Sequence, residues 1–374
     1  MNNTNWHYAW STPQVSGELK TAAQDFYVEE VLDFTFEGTG EFLYLYIEKQ
    51  GMNTDYLAKL LAKHADLPAS KVTYSGVKDR HAVTRQWFCL HVLNKQPDFT
   101  DFMEKVSEQL REHEVVRIIK QARHLKKLKI GSHKKNHFII RLRRLDGPTE
   151  DLENRLALVS LAGVPNYFGP QRFGIDGNNL KQGIEWLSKN PNHRRRLSKT
   201  ESFWVSAVRS WFFNQALSEQ VKAGIWNRVF VDDRVQTTET LSQRKVNTID
   251  ASLLKHLHHL DLHPLMPLAN ETALQDTSSV RATCMKQAWV DAQSVLDSLL
   301  SLGLNREDRP TRLHPENMQW QIVDTQLILQ FTLPKGSFAT SVLRELLNYH
   351  DHSGRGNDSD TNENRSEDAN INSE

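Results

Sequence analysis

Apolar and polar positions repeat with two different periods in the first part of the chain. Phe42 to Glu48 (FLYLYIE) alternates aromatic and aliphatic residues and reads as a strand. After a helix start at Asn53-Thr54-Asp55, the residues Tyr56, Leu57, Leu60, Leu61 and His64 fall at helical spacing, and Pro68 and Ser70 close the element. Val72 to Tyr74 is short and β-prone, Gly76 turns the chain, and Trp87 to Val92 reads as a further strand. Strand, helix, strand, with a loop of charged residues between the last two β-prone runs, places that loop at a sheet edge.

Further along, Phe138 to Leu142 (FIIRL) predicts a strand and Leu152 to Leu161 a helix. Pro165 to Gly177 (PNYFGPQRFGIDG) is loop, and Ser206 to Val221 carries the spacing of an amphipathic helix. Val229 to Val231 with Asp232-Asp233 suggests a hairpin, and Ala288 to Leu300 a helix. Leu327 to Leu333 (LILQFTL) is a late strand, followed by a turn at Pro334 to Gly336 and a helix through Val342 to Leu347. A strand so late in the chain predicts a return to the first sheet, with the middle as an insertion. No internal repeat is visible.

A length of 374 residues exceeds one ordinary core and predicts two domains plus extra segments. The N-terminus MNNTNWHYAW lacks a signal-peptide layout, and no apolar run reaches membrane-spanning length. Cys89 and Cys284 stand far apart among apolar neighbours, which suits reduced, buried thiols in a cytoplasmic protein and leaves no cysteine-based zinc site.

The formal net charge of zero conceals a segregation. From Asp351 to Glu374 seven acids oppose two arginines in a stretch nearly devoid of apolar residues, the composition of a disordered acidic tail. From Arg111 to Arg144 twelve Lys/Arg face only Glu112 and Glu114, among them Lys126, Lys127, Lys134 and Lys135. A second run, Lys189 to Lys199, has five cations and no acid. One such cluster is most simply a solvated face. Two, interleaved with aromatics, point to a phosphate-backbone partner.

The candidate chemistry centres on Ser75 to Leu90 (SGVKDRHAVTRQWFCL), where Asp79 stands between Lys78 and Arg80. In an extended segment Lys78 and Arg80 point away from the face that Asp79 presents, so the cations can grip a phosphate backbone while the carboxylate faces a cleft. Burial would raise its pKa, so the cleft needs its own cation to keep it ionised. An acid held that way can act as nucleophile or base. The alternative is a turn-capping Asp79 bridged to Arg80 or Arg85, and spacing alone does not separate the two. The histidines His256, His258, His259 and His263 have only Asp261 near them, which favours a surface helix over a metal site. Phe26, Phe138, Phe168 and Phe338 stand in loops or at strand starts, where aromatics either stack on a base or fill the core. P-loop, nucleophile-elbow and zinc-protease patterns are absent.

SGVKDRHAVTRQWF closely resembles the signature of the tRNA pseudouridine synthase D (TruD) family. KTAAQDFYVEE (Lys20 to Glu30), GSHKKNHFIIRLR (Gly131 to Arg143), GVPNYFGPQRFG (Gly163 to Gly174) and LPKGSFATSVLRE (Leu333 to Glu345) resemble further family blocks in the family's order. The resemblance implies an isomerase that converts uridine to pseudouridine at position 13 of tRNA, without metal or organic cofactor. It implies an α+β pseudouridine synthase fold, a curved mixed and largely antiparallel sheet with flanking helices, interrupted by an inserted α/β TRUD domain. The expected division is residues 1–161 and 313–350 for the catalytic domain, 162–312 for the insertion, and 351–374 for the tail.

By the same resemblance Asp79 matches the catalytic aspartate and Lys20 the cation paired with it. Asn136 matches a substrate-contacting asparagine, Phe138 an aromatic packed on the target ring, and Phe26 and Phe338 aromatics of the uridine pocket. Lys78, Arg80, Lys126, Lys127, Lys134 and Lys135 are candidates for the RNA backbone. Ala22-Ala23-Gln24 departs from the family, where a proline-glutamate pair commonly precedes Asp25-Phe26. Asp79 either adds to the ribose C1′ or removes the 2′ proton to give a glycal. The expected partner is tRNA, with no membrane, metal or protein partner evident. A non-catalytic tRNA-binding or folding protein on this scaffold is the alternative, against which the intact Asp79, Lys20 and Asn136 stand. A metal-dependent nuclease would need clustered acids where this neighbourhood is basic.

Overall fold

A computed structural model describes residues 5–93, 95–191, 195–270 and 279–353. The acidic tail, from residue 354 onward, and residues 192–194 of the second basic run lie outside the described residues. The chain divides into two compact units, one of residues 5–15, Gly147–Gln319 and Phe331–Asn348, the other of Ser16–Asp146, Trp320–Gln330 and residues 349–353.

The second unit is built on a sheet whose strands are β1 (Ser16–Leu19), β2 (Phe26–Val31), β3 (Phe42–Gln50), β4 (Val72–Tyr74), β5 (Val83–His91), β6 (Val115–His124) and β7 (Lys135–Asp146). Its central order is β7-β2-β5-β3-β6, and the late strand Gln326–Pro334 adds beside β7. The late strand therefore joins the first sheet, as its position after the middle region predicted. All the registered pairs are antiparallel except β2 with β5. The sheet is thus mixed and largely antiparallel.

Strand alternation gives this sheet two different faces. Leu43, Leu45 and Ile47 of β3 and Phe88 and Leu90 of β5 pack with Leu57 and Leu61 of helix α1 (Thr54–His64). A short helix α2 (Phe102–Ser107) contributes Phe102 and Val106 to the same core. The other face is aromatic, with Phe42, Tyr44 and Trp87 around Leu128. Both β5 and β7 run well past the stretches that composition marked, because hydrogen bonding to neighbours extends a strand beyond its apolar centre.

The first unit is mainly helical: α3 (Thr149–Ala162), α4 (Asn178–Lys189), α5 (Lys199–Lys222), α6 (Ala251–His258), α7 (Val280–Trp289), α8 (Gln293–Leu300) and α9 (Ala339–Leu346). Its core gathers Val208, Phe212, Leu217, Trp289 and Leu296. α5 begins earlier than its apolar spacing suggested, because Ser198 and Glu201 form a reciprocal capping box. The expected single helix from Ala288 is broken into α7 and α8 by a tight turn at Val290–Ala292. The hairpin of this region is Arg234–Thr237 with Gln243–Lys245, later than the Val229 to Val231 reading.

Segments on both sides of residues 162–312 pack within this first unit. Leu152 and Leu156 of α3 and Val342 and Leu346 of α9 are buried, and Arg155 donates to the Glu345 carbonyl at 3.2 Å, all inside this first unit. His263 is buried rather than on a surface helix, since it lies on the strand Leu262–Pro267, accepts from Arg312 at 3.2 Å, and is held down to about pKa 3 by burial and the Arg312 charge. No helix of the described residues is long and apolar enough to cross a membrane.

Candidate active site

The alternation of β2 places Phe26, Val28 and Glu30 on one face, and its antiparallel partner β7 puts Ile140, Phe138 and Asn136 directly opposite them. Cross-strand neighbours on one face stand within side-chain contact. Phe26 and Phe138 accordingly meet edge to face with centroids 6.1 Å apart, and both are buried. At the strand entry Asp25 fixes the turn. It accepts from the Thr21 hydroxyl at 2.6 Å and the Ala22 N–H at 3.0 Å, and receives both forks of Arg143 at 2.8 and 2.7 Å. Burial would raise the Asp25 pKa, but Arg143 and these donors hold it below the ordinary carboxylate value.

That turn presents Lys20. Its backbone is left-handed at φ 58°, a conformation that costs a side-chain-bearing residue roughly 1–2 kcal/mol. Its ammonium lies 4.6 Å from the Phe26 ring centroid and pairs with the Asp79 carboxylate. The other Asp79 oxygen accepts from the His81 N–H at 2.9 Å. The Lys20 side chain is 4% exposed and that of Asp79 29%, so the acid remains reachable. Burial alone would push the Asp79 pKa up; the Lys20 charge and hydrogen bond, with the His81 N–H, bring it below the ordinary carboxylate value. Asp79 does cap its own turn through the His81 N–H, but the arginine bridge of the alternative reading does not form: Arg85 is paired with Glu48 at 2.8 Å, and Arg80 directs its Nε–H to Gly51 O at 2.9 Å.

The loop carrying Asp79 is pinned along its length by its own backbone. Gln86 donates to Gly76 O at 2.9 Å, Thr54 accepts from Lys78 N at 3.1 Å, and Gly51 N donates to Arg80 O at 3.1 Å. Lys49 is central to this arrangement. It is fully buried on β3, and its ammonium donates to Met52 O at 2.8 Å, Asp79 O at 3.1 Å and Lys78 O at 3.4 Å. Burial lowers its pKa to about 8, against the opposing charge of Asp79.

One of the proposed backbone-gripping cations is differently used. Lys78 is buried, and its ammonium lies 3.1 Å from the fully buried Glu30 carboxylate, so it supports the loop from beneath and does not face a phosphate. A buried carboxylate needs a cation at hand, and Lys78 supplies it. Arg80 is half-buried and directs its Nε–H to Gly51 O at 2.9 Å. Lys126 and Lys127 are exposed; Lys134 and Lys135 are half-buried.

Beside the pair, Ser75 bonds the backbone N–H of His133 at 2.7 Å and its ring at 2.6 Å, and the His133 ring lies 3.5 Å from the Asn136 amide nitrogen. The amide oxygen of Asn136 is buried and has no hydrogen-bond partner among the described residues. Phe338 belongs to the other unit, where it packs on Phe168 with centroids 6.0 Å apart. Among the described residues no group of His, Cys, Asp and Glu is arranged to hold a metal ion.

Lys49, Glu30 and Arg143 did not stand out among the chain's many charges. The signal was present: Lys49 follows Leu43, Leu45 and Ile47 at the next inward position, and Glu30 follows Phe26 and Val28. A charge at an inward register position is rarely placed there without a partner.

A carboxylate kept ionised beside an apolar wall, with an unpartnered amide acceptor on the same face as that wall, suits chemistry on a polar ring held against aromatics. Comparison with known proteins agrees. The family model of tRNA pseudouridine synthase D (TruD) matches residues 4–193 and 194–346. The chain is 37% identical over 358 residues to the tRNA pseudouridine synthase D of Pseudoalteromonas atlantica, covering 93% of this chain and 97% of that protein. It is 38% identical over 341 residues to that of Pectobacterium atrosepticum, covering 90% and 93%. A crystal structure from Methanosarcina mazei assigned to the same enzyme superposes with a TM-score of 0.66 at 19% identity, over 91% of this chain and 95% of the other, and shows the shared fold. The chain belongs to the tRNA pseudouridine synthase D family. It is an enzyme of the isomerase class.

Proposed function

We propose that the protein isomerises uridine to pseudouridine at position 13 of tRNA, with Asp79 acting at the ribose of a flipped-out nucleotide. The observation that carries this reading is the Asp79–Lys20 pair, a desolvated carboxylate that stays ionised and stays accessible. The N1–C1′ bond must break, the uracil must turn, and C5 must bond to C1′ and then lose its proton. An ionised carboxylate serves either route, adding to C1′ or taking the 2′ proton. The detached uracil has to stay captive. Phe26 and Phe138 offer an apolar wall, and the Asn136 oxygen is an acceptor for an imide N–H. Reaching the base requires flipping it from the RNA stack. The exposed Lys126 and Lys127, and Arg80 with Lys134 and Lys135, are assigned to the backbone; Lys78 is withdrawn from that set.

We also assign Phe338 to the uridine pocket, on the resemblance alone. Residues 162–312 are proposed as the family-specific insertion, which is supported by the strands on either side of it, β7 and Gln326–Pro334, being neighbours in one sheet. The two buried free cysteines suit a cytoplasmic enzyme.

The test is Asp79→Asn assayed on a tRNA transcript. The variant is expected to bind tRNA like the wild type and to form no pseudouridine. Isomerisation by the variant would sink the catalytic assignment, and tRNA refolding unaffected by it, without isomerisation by the wild type, would favour a folding protein. A uridine deuterated at C2′ separates the two routes: a primary isotope effect marks 2′-proton removal, and its absence marks addition to C1′.

A further inference from the structure

A second arrangement of cations lies in the other unit, on the loop between α3 and α4. Phe168 is held there by a reciprocal amide contact: its N–H donates to Asn214 Oδ1 at 2.8 Å, and Asn214 Nδ2 donates to its carbonyl at 3.0 Å. Two guanidinium groups lie on this ring, Arg309 at 4.0 Å and Arg172 at 5.2 Å from its centroid. Their circumstances differ. Arg309 is a structural clamp, donating to Asn166 O at 3.2 Å, Asn166 Oδ1 at 2.7 Å and Gly336 O at 2.9 Å. Arg172 is half-buried, and its Nε is fully enclosed with no hydrogen-bond partner among the described residues.

Neither guanidinium forms an ion pair among the described residues. The acid whose field reaches Arg172 is Glu307, which is exposed and paired with Arg209 at 3.3 Å. Burial depresses the pKa of Arg172, and burial with the Arg172 charge brings that of Arg309 down to about 9. Two cations on one ring, neither with an ion-pair partner among the described residues, are an unfavourable arrangement in the free protein. An unpaired, partly desolvated guanidinium is complementary to a phosphate oxyanion, which its planar fork can receive in two hydrogen bonds.

We propose that Arg172, backed by Arg309 across the Phe168 ring, is an anion site that takes a non-bridging phosphate oxygen of the bound RNA backbone. The inference rests on the reading of the protein as a tRNA-modifying enzyme and adds a contact remote in sequence from the Asp79 loop. A structural arginine lowers stability when removed, whereas a ligand arginine held by no hydrogen bond or ion pair among the described residues, and facing a second cation across the ring, does not.

The test compares full-length wild type, Arg172→Gln and Arg172→Lys in tRNA binding across a KCl series, with melting temperatures and pseudouridine formation measured alongside. Arg172→Gln is expected to weaken tRNA binding several-fold at low salt and to reduce the slope of log K against log salt by about 1, with no fall in melting temperature. Arg172→Lys should recover the slope. A wild-type slope in Arg172→Gln overturns the proposal, more pointedly if its melting temperature falls. Pyrophosphate at matched ionic strength distinguishes the source of the anion. If it raises the melting temperature of the wild type but not of Arg172→Gln while the tRNA slope is unchanged, the site serves a free phosphate and the RNA assignment is overturned. A wild type that neither binds tRNA nor forms pseudouridine would instead remove the activity reading, and the RNA assignment with it.

Discussion

Lys20 illustrates how much one residue is asked to do. It holds a left-handed backbone, lies over Phe26 and pairs with Asp79. Non-glycine residues kept in this conformation recur at functional sites, where the surrounding structure over-determines them. Here the Asp25 turn does so. The electrostatic consequence has a definite sign. Lys20 lowers the Asp79 pKa and burial raises it, so removing the ammonium leaves burial opposed by the His81 contacts and the more distant Lys49 charge. Lys20→Met should therefore shift the acidic limb of the kcat/KM profile to higher pH. It should also reduce kcat at neutral pH on the order of 10²-fold, the scale of a well-placed electrostatic partner. An acidic limb that stays where it is in the wild type would show that Lys20 does not set the ionisation of Asp79.

At the scale of elements, the site is a strand pair and a loop locked to a third strand. The Asp25–Arg143 fork ties the entry of β2 to β7. The folded-state pKa of Asp25 is lowered, so the stability it contributes is present above the ordinary carboxylate value of about 4 and is lost as pH falls through the lower folded value. Asp25→Ala should destabilise the protein by about 3 kcal/mol at neutral pH, with a smaller difference from wild type in acid, as followed by denaturant unfolding. Lys49 does the equivalent work for the loop, since a protonated amine can serve three carbonyls and a neutral one only two. With a pKa near 8, its deprotonation should give kcat an alkaline limb near that pH. Lys49→Met should abolish the limb and lower kcat about 10²-fold, the cost of displacing a reacting group by about 1 Å, while tRNA affinity is retained. An unchanged alkaline limb in Lys49→Met would assign the titration elsewhere.

At the scale of the whole molecule, recognition of a polyanion depends on where unpaired cations remain at the surface. Lys126 and Lys127 are exposed, whereas Lys78 is sequestered by Glu30. The double variant Lys126→Ala/Lys127→Ala should lower the salt slope of tRNA binding by about 2 and leave the rate at saturating tRNA near wild type. A lost maximal rate with an unchanged slope would contradict that division of roles. The amino-acid sequence by itself determined the strand periodicities of β3 and β5, the helix α1, the loop with Asp79 and, through its ordered blocks, the family. These depend on local spacing and on residues that are neighbours in the chain. Strand register was not local. It put Lys49 and Glu30 inside, set Phe138 against Phe26, and turned Lys78 from a surface cation into a buried partner. Capping at Ser198 moved the start of α5, and long-range packing gathered α3 and α9 with the middle region and placed Phe338 on Phe168. The Asp79 carboxylate was legible as a candidate in the sequence. That it is ionised, reachable and held still was decided by residues far from it in the chain, because only the folded backbone brings Lys20 and Lys49 to it.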